Sequence, residues 1–246
     1  MDNFYYDIIS RIIQHKYLIV KDKKLLIGVS GSVSVGKTFF CERLKTILKR
    51  DFPDRCIDIM HQDSFLLSHE ELKETNIKGK SSPDAIDMNR FLNEIVHFKK
   101  GEEIYEPIIY YKGNVKMKDS NERKIEANDI CIVDGGYIYR NDNDNYKQLY
   151  ENFDLKIFLL APMEYNRKWW LNRTKNRLIE RNSVITNQEV EAILEDKEQR
   201  ILKYIESDRR YYINADILIE KGFNHRILNI NTNLVPVCTY GENISF

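Results

Sequence analysis

Apolar and polar positions change period along this chain. Residues 3–16 carry Tyr6, Ile9, Ile12 and Ile13 at helical spacing, which predicts an amphipathic helix on the outside of the domain, within an N-terminal segment 1–22. Lys24-Leu-Leu-Ile-Gly-Val-Ser30 is continuously apolar and reads as a buried parallel strand. Phe40, Leu44 and Leu48 then fall four apart, one face of a helix, before a turn at Asp51-Phe-Pro-Asp54. Short apolar runs recur at Cys56–Met60, Asp129–Val133, Leu155–Leu160 and Ala215–Ile219, four more strands. Residues 66–82 are polar and read as a loop. Ser82-Pro83 predicts a helix start, running to about His97 and closed by Gly101. Alternation over 104–125, with Gly113-Asn114 near a turn, predicts a β-hairpin. Residues 163–182 and 187–208 are helical and highly charged, and 222–246 offers one edge strand. Strands alternating with helices predict a single α/β domain over 1–246 with a parallel sheet.

One stretch carries chemistry that periodicity does not. Gly31-Ser-Val-Ser-Val-Gly36-Lys37-Thr38 fits G-x-x-x-x-G-K-[ST], and it sits between a predicted strand and a predicted helix. The glycines let the backbone wrap closely, so successive N–H groups point inward at a helix N-terminus and hold a triphosphate. Gly31, Ser32, Val33, Ser34, Val35, Gly36, Lys37 and Thr38 are therefore the expected phosphate cradle. Lys37 is the mobile charge for the β- and γ-phosphates, and the Thr38 hydroxyl is a natural Mg²⁺ ligand.

Composition narrows the classes. The 246 residues hold 38 Lys+Arg and 38 Asp+Glu, so the net charge is zero. That argues against nucleic acid or a membrane surface as partner. The pattern has no apolar run of membrane-spanning length and no secretory leader, and no repeat period. Cys41, Cys56, Cys131 and Cys238 lie far apart and read as reduced core thiols in a cytoplasmic protein.

A triphosphate needs a metal partner and an acceptor. Asp134 follows a buried strand, the usual place of the second Mg²⁺-associated acid. Asp63 follows another strand, at the sheet edge where working groups gather, and can take or orient the proton of an acceptor hydroxyl; a metal-ligand role is its alternative. Either Asp is otherwise a turn former. Arg173, Arg177 and Arg181 share one face of the 163–182 helix, which also carries Arg167; they read either as a solvated face or as a lid closing positive charge over a transferring phosphoryl group. Trp169 and Trp170 are expected in packing. His61 and His97 lack partners at metal-ligand spacing.

Over residues 24–221 the chain resembles the uridine kinase / phosphoribulokinase / bacterial pantothenate kinase superfamily of P-loop kinases. The resemblance is carried by Ile27–Thr38, Gln62-Asp-Ser-Phe65, Ser82-Pro-Asp-Ala-Ile-Asp-Met88, Val133-Asp-Gly-Gly136 and Tyr212–Ile219. It implies a five-stranded parallel sheet flanked by helices, a β-hairpin excursion within an acceptor-side region 66–125, and a helical lid over 163–208. By the same resemblance, Asp63 sits where the family has its catalytic base, and Arg173 and Arg177 where it holds phosphates.

The departures fall on the acceptor side. Asp134 stands where the family usually has Glu. Uridine kinases carry an Asp at the position of Ser81, and a Tyr and a base-reading His where this chain has Ile109 and Asn114. Ser81, Asp84, Tyr110, Tyr111, Asn114 and Arg167 are the expected acceptor-side residues. Asp84 is a candidate replacement for the missing acid, and the two tyrosines are candidate stacking surfaces. The expected activity is ATP- and Mg²⁺-dependent transfer to a hydroxyl of a small molecule, a nucleoside-like metabolite leading. A pantothenate- or sugar-type kinase and a catalytically silent nucleotide-binding protein are the alternatives. A GTPase is disfavoured because no Asn/Thr-Lys-x-Asp stretch occurs. Uridine and cytidine themselves are expected to be poor acceptors. The oligomeric state is left open, a homo-oligomer included.

Overall fold

The structure is a computed structural model that describes residues 2–20, 24–75, 77, 82–112, 115–181 and 185–233. Helix α1 (Asp2–Ile19) precedes β1 (Leu25–Gly31), α2 (Lys37–Asp51) and β2 (Ile57–His61). Short α3 (His69–Lys73) and α4 (Met88–Lys100) lead to the hairpin β3 (Ile104–Lys112) and β4 (Val115–Ile125). Then come β5 (Ile130–Asp134), α5 (Asp144–Asn152), β6 (Leu155–Leu160), α6 (Met163–Arg181), α7 (Asn187–Arg209), β7 (Ile217–Lys221) and β8 (Ile227–Thr232).

The main sheet runs β2-β5-β1-β6-β7-β8. Its first five strands are parallel, and β8 adds antiparallel to β7. The expected five parallel strands are therefore present, with the tail strand as a sixth. β1 and β5 are buried at every position because helices cover both faces of a parallel sheet. Leu25, Ile27, Val29, Ile130 and Ile132 face α1 and α2, where Tyr6, Ile9, Ile13, Phe40, Leu44 and Leu48 complete one core layer. Their alternates Leu26, Cys131 and Val133 face the other way, onto Phe91, Ile95, Phe98, Tyr146 and Leu149 of α4 and α5. Each fully buried large side chain contributes roughly 1.5–3 kcal/mol of transfer free energy. The two layers fix β1 between β5 and β6, and so set the end of β1 at the centre of the sheet edge.

Four local expectations are corrected. The polar 66–82 stretch contains α3, whose Ser68 and Glu71 form a capping box, each side chain bonding the other's backbone N–H. The helix expected from Ser82 to His97 is two elements. Ser82 caps only a single 3-10 turn, Pro83–Ala85, and Asp87 caps α4. Between them Ile86 pairs with Leu66, and Asp87 N–H donates to the Phe65 carbonyl, which holds the chain extended. Helix α5 was not expected from the periodicity; it buries only Tyr146 and Leu149. Among the thiols, Cys41 and Cys131 are in the core but Cys56 is exposed, and Cys238 lies outside the described residues.

The hairpin does not join the main sheet. A buried polar network ties it to β2 instead. Arg123 on β4 reaches Asp58 at 3.2 Å and Glu106 at 2.8 Å, and Glu106 accepts from the His61 N–H at 2.8 Å. Burial alone would raise the Asp58 pKa, but Lys45 and two backbone N–H groups hold it below the usual carboxylate value. The hairpin is thus tied to β2, the strand that leads into the turn carrying Asp63. No helix among the described residues is long and apolar enough to cross a membrane.

Candidate active site

The carboxyl ends of β1, β2 and β5 open into one cleft of about 600 Å³. The loop after β1 supplies its floor. Gly36 takes φ 92° as the N-terminal boundary of α2, and Gly31 takes φ 148° with the Leu159 carbonyl 2.5 Å from where a Cβ would stand. Both conformations and the close approach require glycine. Ser34 is also left-handed, at φ 63°. No side chain caps the N-terminus of α2, so its free N–H groups and positive dipole end face the cleft. Val33, Ser34, Gly36, Lys37 and Thr38 line the space. Ser32 and Val35 turn inward instead: Ser32 is buried against α7, and Val35 is in the core. Any contact they make to a ligand is therefore through the backbone.

Lys37 folds back onto the loop, with Nζ donating to the Gly31 carbonyl at 2.8 Å and to Ser32 at 3.2 Å. An anion in the cleft would compete for the same ammonium. The Thr38 hydroxyl donates to Asp134 Oδ2 at 2.6 Å, so the shorter acid still meets its partner directly. Asp134 is 7% exposed. Burial alone would raise its pKa, but the His61 ring 3.4 Å away, the Lys37 charge and the Thr38 hydroxyl keep it below the usual range. For His61, burial works downward but the Asp134 and Glu106 carboxylates win and raise its pKa.

The hydroxyl and carboxylate of Thr38 and Asp134 are hard oxygen donors and fit Mg²⁺. Among the described residues no group of three or more His, Cys, Asp or Glu side chains could hold a metal.

Asp63 lies in a 3-10 turn, Gln62–Phe65, set on the end of β2. Its side chain is exposed to the cleft. Arg173 and Arg177 of α6 line the same cleft. Loss of water around the Arg173 guanidinium, and Arg177 beside it, lower the Arg173 pKa; Asp63 opposes them. Helices α6 and α7 are joined by their own small core of Trp170, Val190 and Leu194. If this pair is a lid, amide exchange across 163–181 should slow severalfold when an ATP analogue and an acceptor are bound together. Unchanged exchange would make the arginines a solvated face.

Several expected residues are elsewhere. Arg167 is exposed and paired with Glu198 on α7, away from the cleft, because its place on α6 faces the partner helix. Asp84 is exposed and engaged with Ser82 in the 3-10 turn, and Tyr110 is exposed on the hairpin; neither lines the cleft. Ser81, Asn114 and the side chains of Tyr111 and Arg181 lie outside the described residues. Trp170 is core as expected; Trp169 also packs against the main core, and it lines the cleft as well, stacked on His225 at 3.7 Å between ring centroids. Phe39, His61, Gly135, Gly136, Tyr137, Asp208 and His225 also line it, without having been singled out as site residues. Phe39 had one legible signal: an aromatic directly after the motif, off the buried face of its helix. His225 and Asp208 had none.

A parallel sheet whose central strand runs into a phosphate loop, with Asp134 ending β5 and Asp63 just after β2 on one side of it, is the arrangement of a P-loop kinase. The chain belongs to the phosphoribulokinase / uridine kinase family, which it matches over residues 26–226. It is 29% identical over 225 residues to the pantothenate kinase of Lactococcus lactis subsp. cremoris, spanning 85% of this chain and 72% of that one. The fold is similar to D-glycerate 3-kinase from Cryptococcus neoformans, at 12% identity and a TM-score of 0.69 over 93% of this chain and 99% of that one. It is similar at a TM-score of 0.54 and 14% identity to phosphoribulokinase from Rhodobacter spheroides, over 81% of this chain and 71% of that one. The protein is an ATP-dependent kinase that phosphorylates a hydroxyl of a small molecule.

Proposed function

We propose that the acceptor is pantothenate or a close hydroxyl- and amide-bearing relative, and that transfer is Mg²⁺-dependent. The observation that carries the acceptor is the similarity to pantothenate kinases over 225 residues. The replacement of two nucleoside-reading positions by Ser81 and Ile109 supports it. A carboxylate exchanged for one hydroxyl loses a charged, two-acceptor partner for a ribose diol, and Ile109 neither donates nor accepts.

In this reading the free N–H groups of α2 and the Lys37 ammonium bind the phosphates. Thr38 and Asp134 hold Mg²⁺, which supplies positive charge to the phosphate oxygens. Asp63 accepts the proton of the acceptor hydroxyl as its oxygen bonds to the γ-phosphorus. The bond to the β-phosphate oxygen breaks, and ADP leaves. Arg173 and Arg177 offset the charge spread over the transferring group. A silent binding protein would have no use for an exposed Asp63 and two arginines lining one cleft with a phosphate cradle.

A nucleoside acceptor is the second reading, favoured by Gln62-Asp-Ser-Phe65 and Pro83-Asp-Ala85. ATP consumption measured with pantothenate, uridine, cytidine, D-glycerate and fructose separates the two. We expect kcat/KM for pantothenate to exceed that for either nucleoside by at least ~10²-fold, since a site that hydrogen-bonds its substrate discriminates by as much as ~10⁴–10⁵. A higher value for uridine or cytidine would reverse the assignment.

A further inference from the structure

The last turns of α7 pass over the phosphate loop, where the Ser32 hydroxyl donates to the Ile205 carbonyl at 3.4 Å. Three residues further, Asp208 is 8% exposed and lines the cleft together with Asp63, Tyr137 and Arg173. Among the described residues its carboxylate takes no hydrogen bond and makes no ion pair. Burying a carboxylate without donors is costly, and native structures rarely leave one so. Burial pushes the Asp208 pKa up to about 7, against the charges of Lys37, Arg140 and Arg210. The cations are near enough to be felt, yet Lys37 is committed to the loop carbonyls and Arg140 to Asp142.

The missing donor is not a phosphate. Phosphate oxygens are mostly deprotonated at neutral pH and have little to donate, and like charge repels them from an ionised Asp208. The cations and the α2 terminus already supply what phosphates need. What remains is a neutral or cationic donor group on the other ligand. We propose that Asp208 accepts a hydrogen bond from a second hydroxyl or an amide N–H of the acceptor, beside the hydroxyl that is phosphorylated, and so selects acceptors that carry one. The inference rests on the reading of the cleft as a two-substrate site. Pantothenate meets its requirement, having a secondary hydroxyl and an amide N–H close to its primary hydroxyl.

The test compares wild type, Asp208→Ala and Asp208→Asn across the same five acceptors, each with saturating ATP, and then varies ATP. With pantothenate, Asp208→Ala should raise the acceptor KM by about 10–100-fold while the ATP KM stays within about twofold. Asp208→Asn, whose amide oxygen still accepts, should recover part of the loss. A pantothenate analogue lacking the secondary hydroxyl, or N-methylated at the amide, should be discriminated by the wild type and much less by Asp208→Ala. Thermal unfolding checks that both variants fold. Parallel rises in both KM values would place Asp208 on Lys37 and the phosphates and overturn the inference, as would an unchanged acceptor KM. If the wild type turns over another member of the panel and not pantothenate, the acceptor reading fails, and the same comparison on that member decides Asp208. If it turns over none, both fall.

Discussion

Lys37→Ala is expected to lower kcat by about 10²–10³ and to weaken ATP binding, without loss of fold. The side chain is the one cation that the phosphate loop itself aims at the cleft, and its present partners are two backbone carbonyls at 2.8 and 3.2 Å. Those carbonyls also accept from water once the ammonium is gone, so the loop survives. What is lost is a preorganised charge on the phosphoryl group, a term worth roughly 3–4 kcal/mol of barrier. Steady-state kinetics with ATP varied, together with a calorimetric ATP titration, make the comparison. Near-normal turnover would remove the phosphate-loop assignment altogether.

Asp63→Asn separates chemistry from binding at the other end of the cleft. The substitution keeps size and shape and removes the proton acceptor, which costs about 10²–10⁴ in kcat. ATP affinity should stay within a few-fold, because the Thr38–Asp134 pair that suits the cation is untouched. A matching loss of ATP binding would instead make Asp63 a metal ligand. An unchanged rate would make it no more than a residue of its 3-10 turn.

The parts of the site that could be read from sequence are those whose geometry is local. A glycine at φ 92°, a lysine and a threonine in fixed order reproduce one backbone shape wherever they follow a strand. The acids after β2 and β5 were legible because a parallel strand delivers its C-terminal residue to a fixed edge. Asp208 was not. It stands in Ser207-Asp-Arg-Arg210 at the end of a charged helix, and nothing nearby marks it as buried. Its burial comes from a contact between residues 173 apart, Ser32 with Ile205. Arg167 failed for the converse reason. It stands six residues before Arg173, about 120° away around α6, so it turns toward Glu198 on α7 while Arg173 lines the cleft. On the fold, the split at Ile86 escaped because Ser82-Pro83 is a sound helix start that a tertiary strand pairing with Leu66 cuts short.

Helix α1 and strand β8 lie at opposite ends of the chain, and both stand outside the family match at 26–226. They meet: the Tyr5 hydroxyl donates to the Leu228 carbonyl at 2.8 Å, across 223 residues. The Tyr6 ring stacks on Phe40 of the helix that begins at the phosphate loop, 5.2 Å between centroids. During synthesis α1 emerges before the strands of the sheet, yet the strand it fastens to emerges after every other strand of that sheet. Helix α1 can already dock Tyr6, Ile9 and Ile13 on α2 and the sheet, while its joint to β8 waits. The Tyr5–Leu228 joint therefore cannot form before β8 is made, and a ribosome pause, a shortened chain or a fusion after β7 would leave it open.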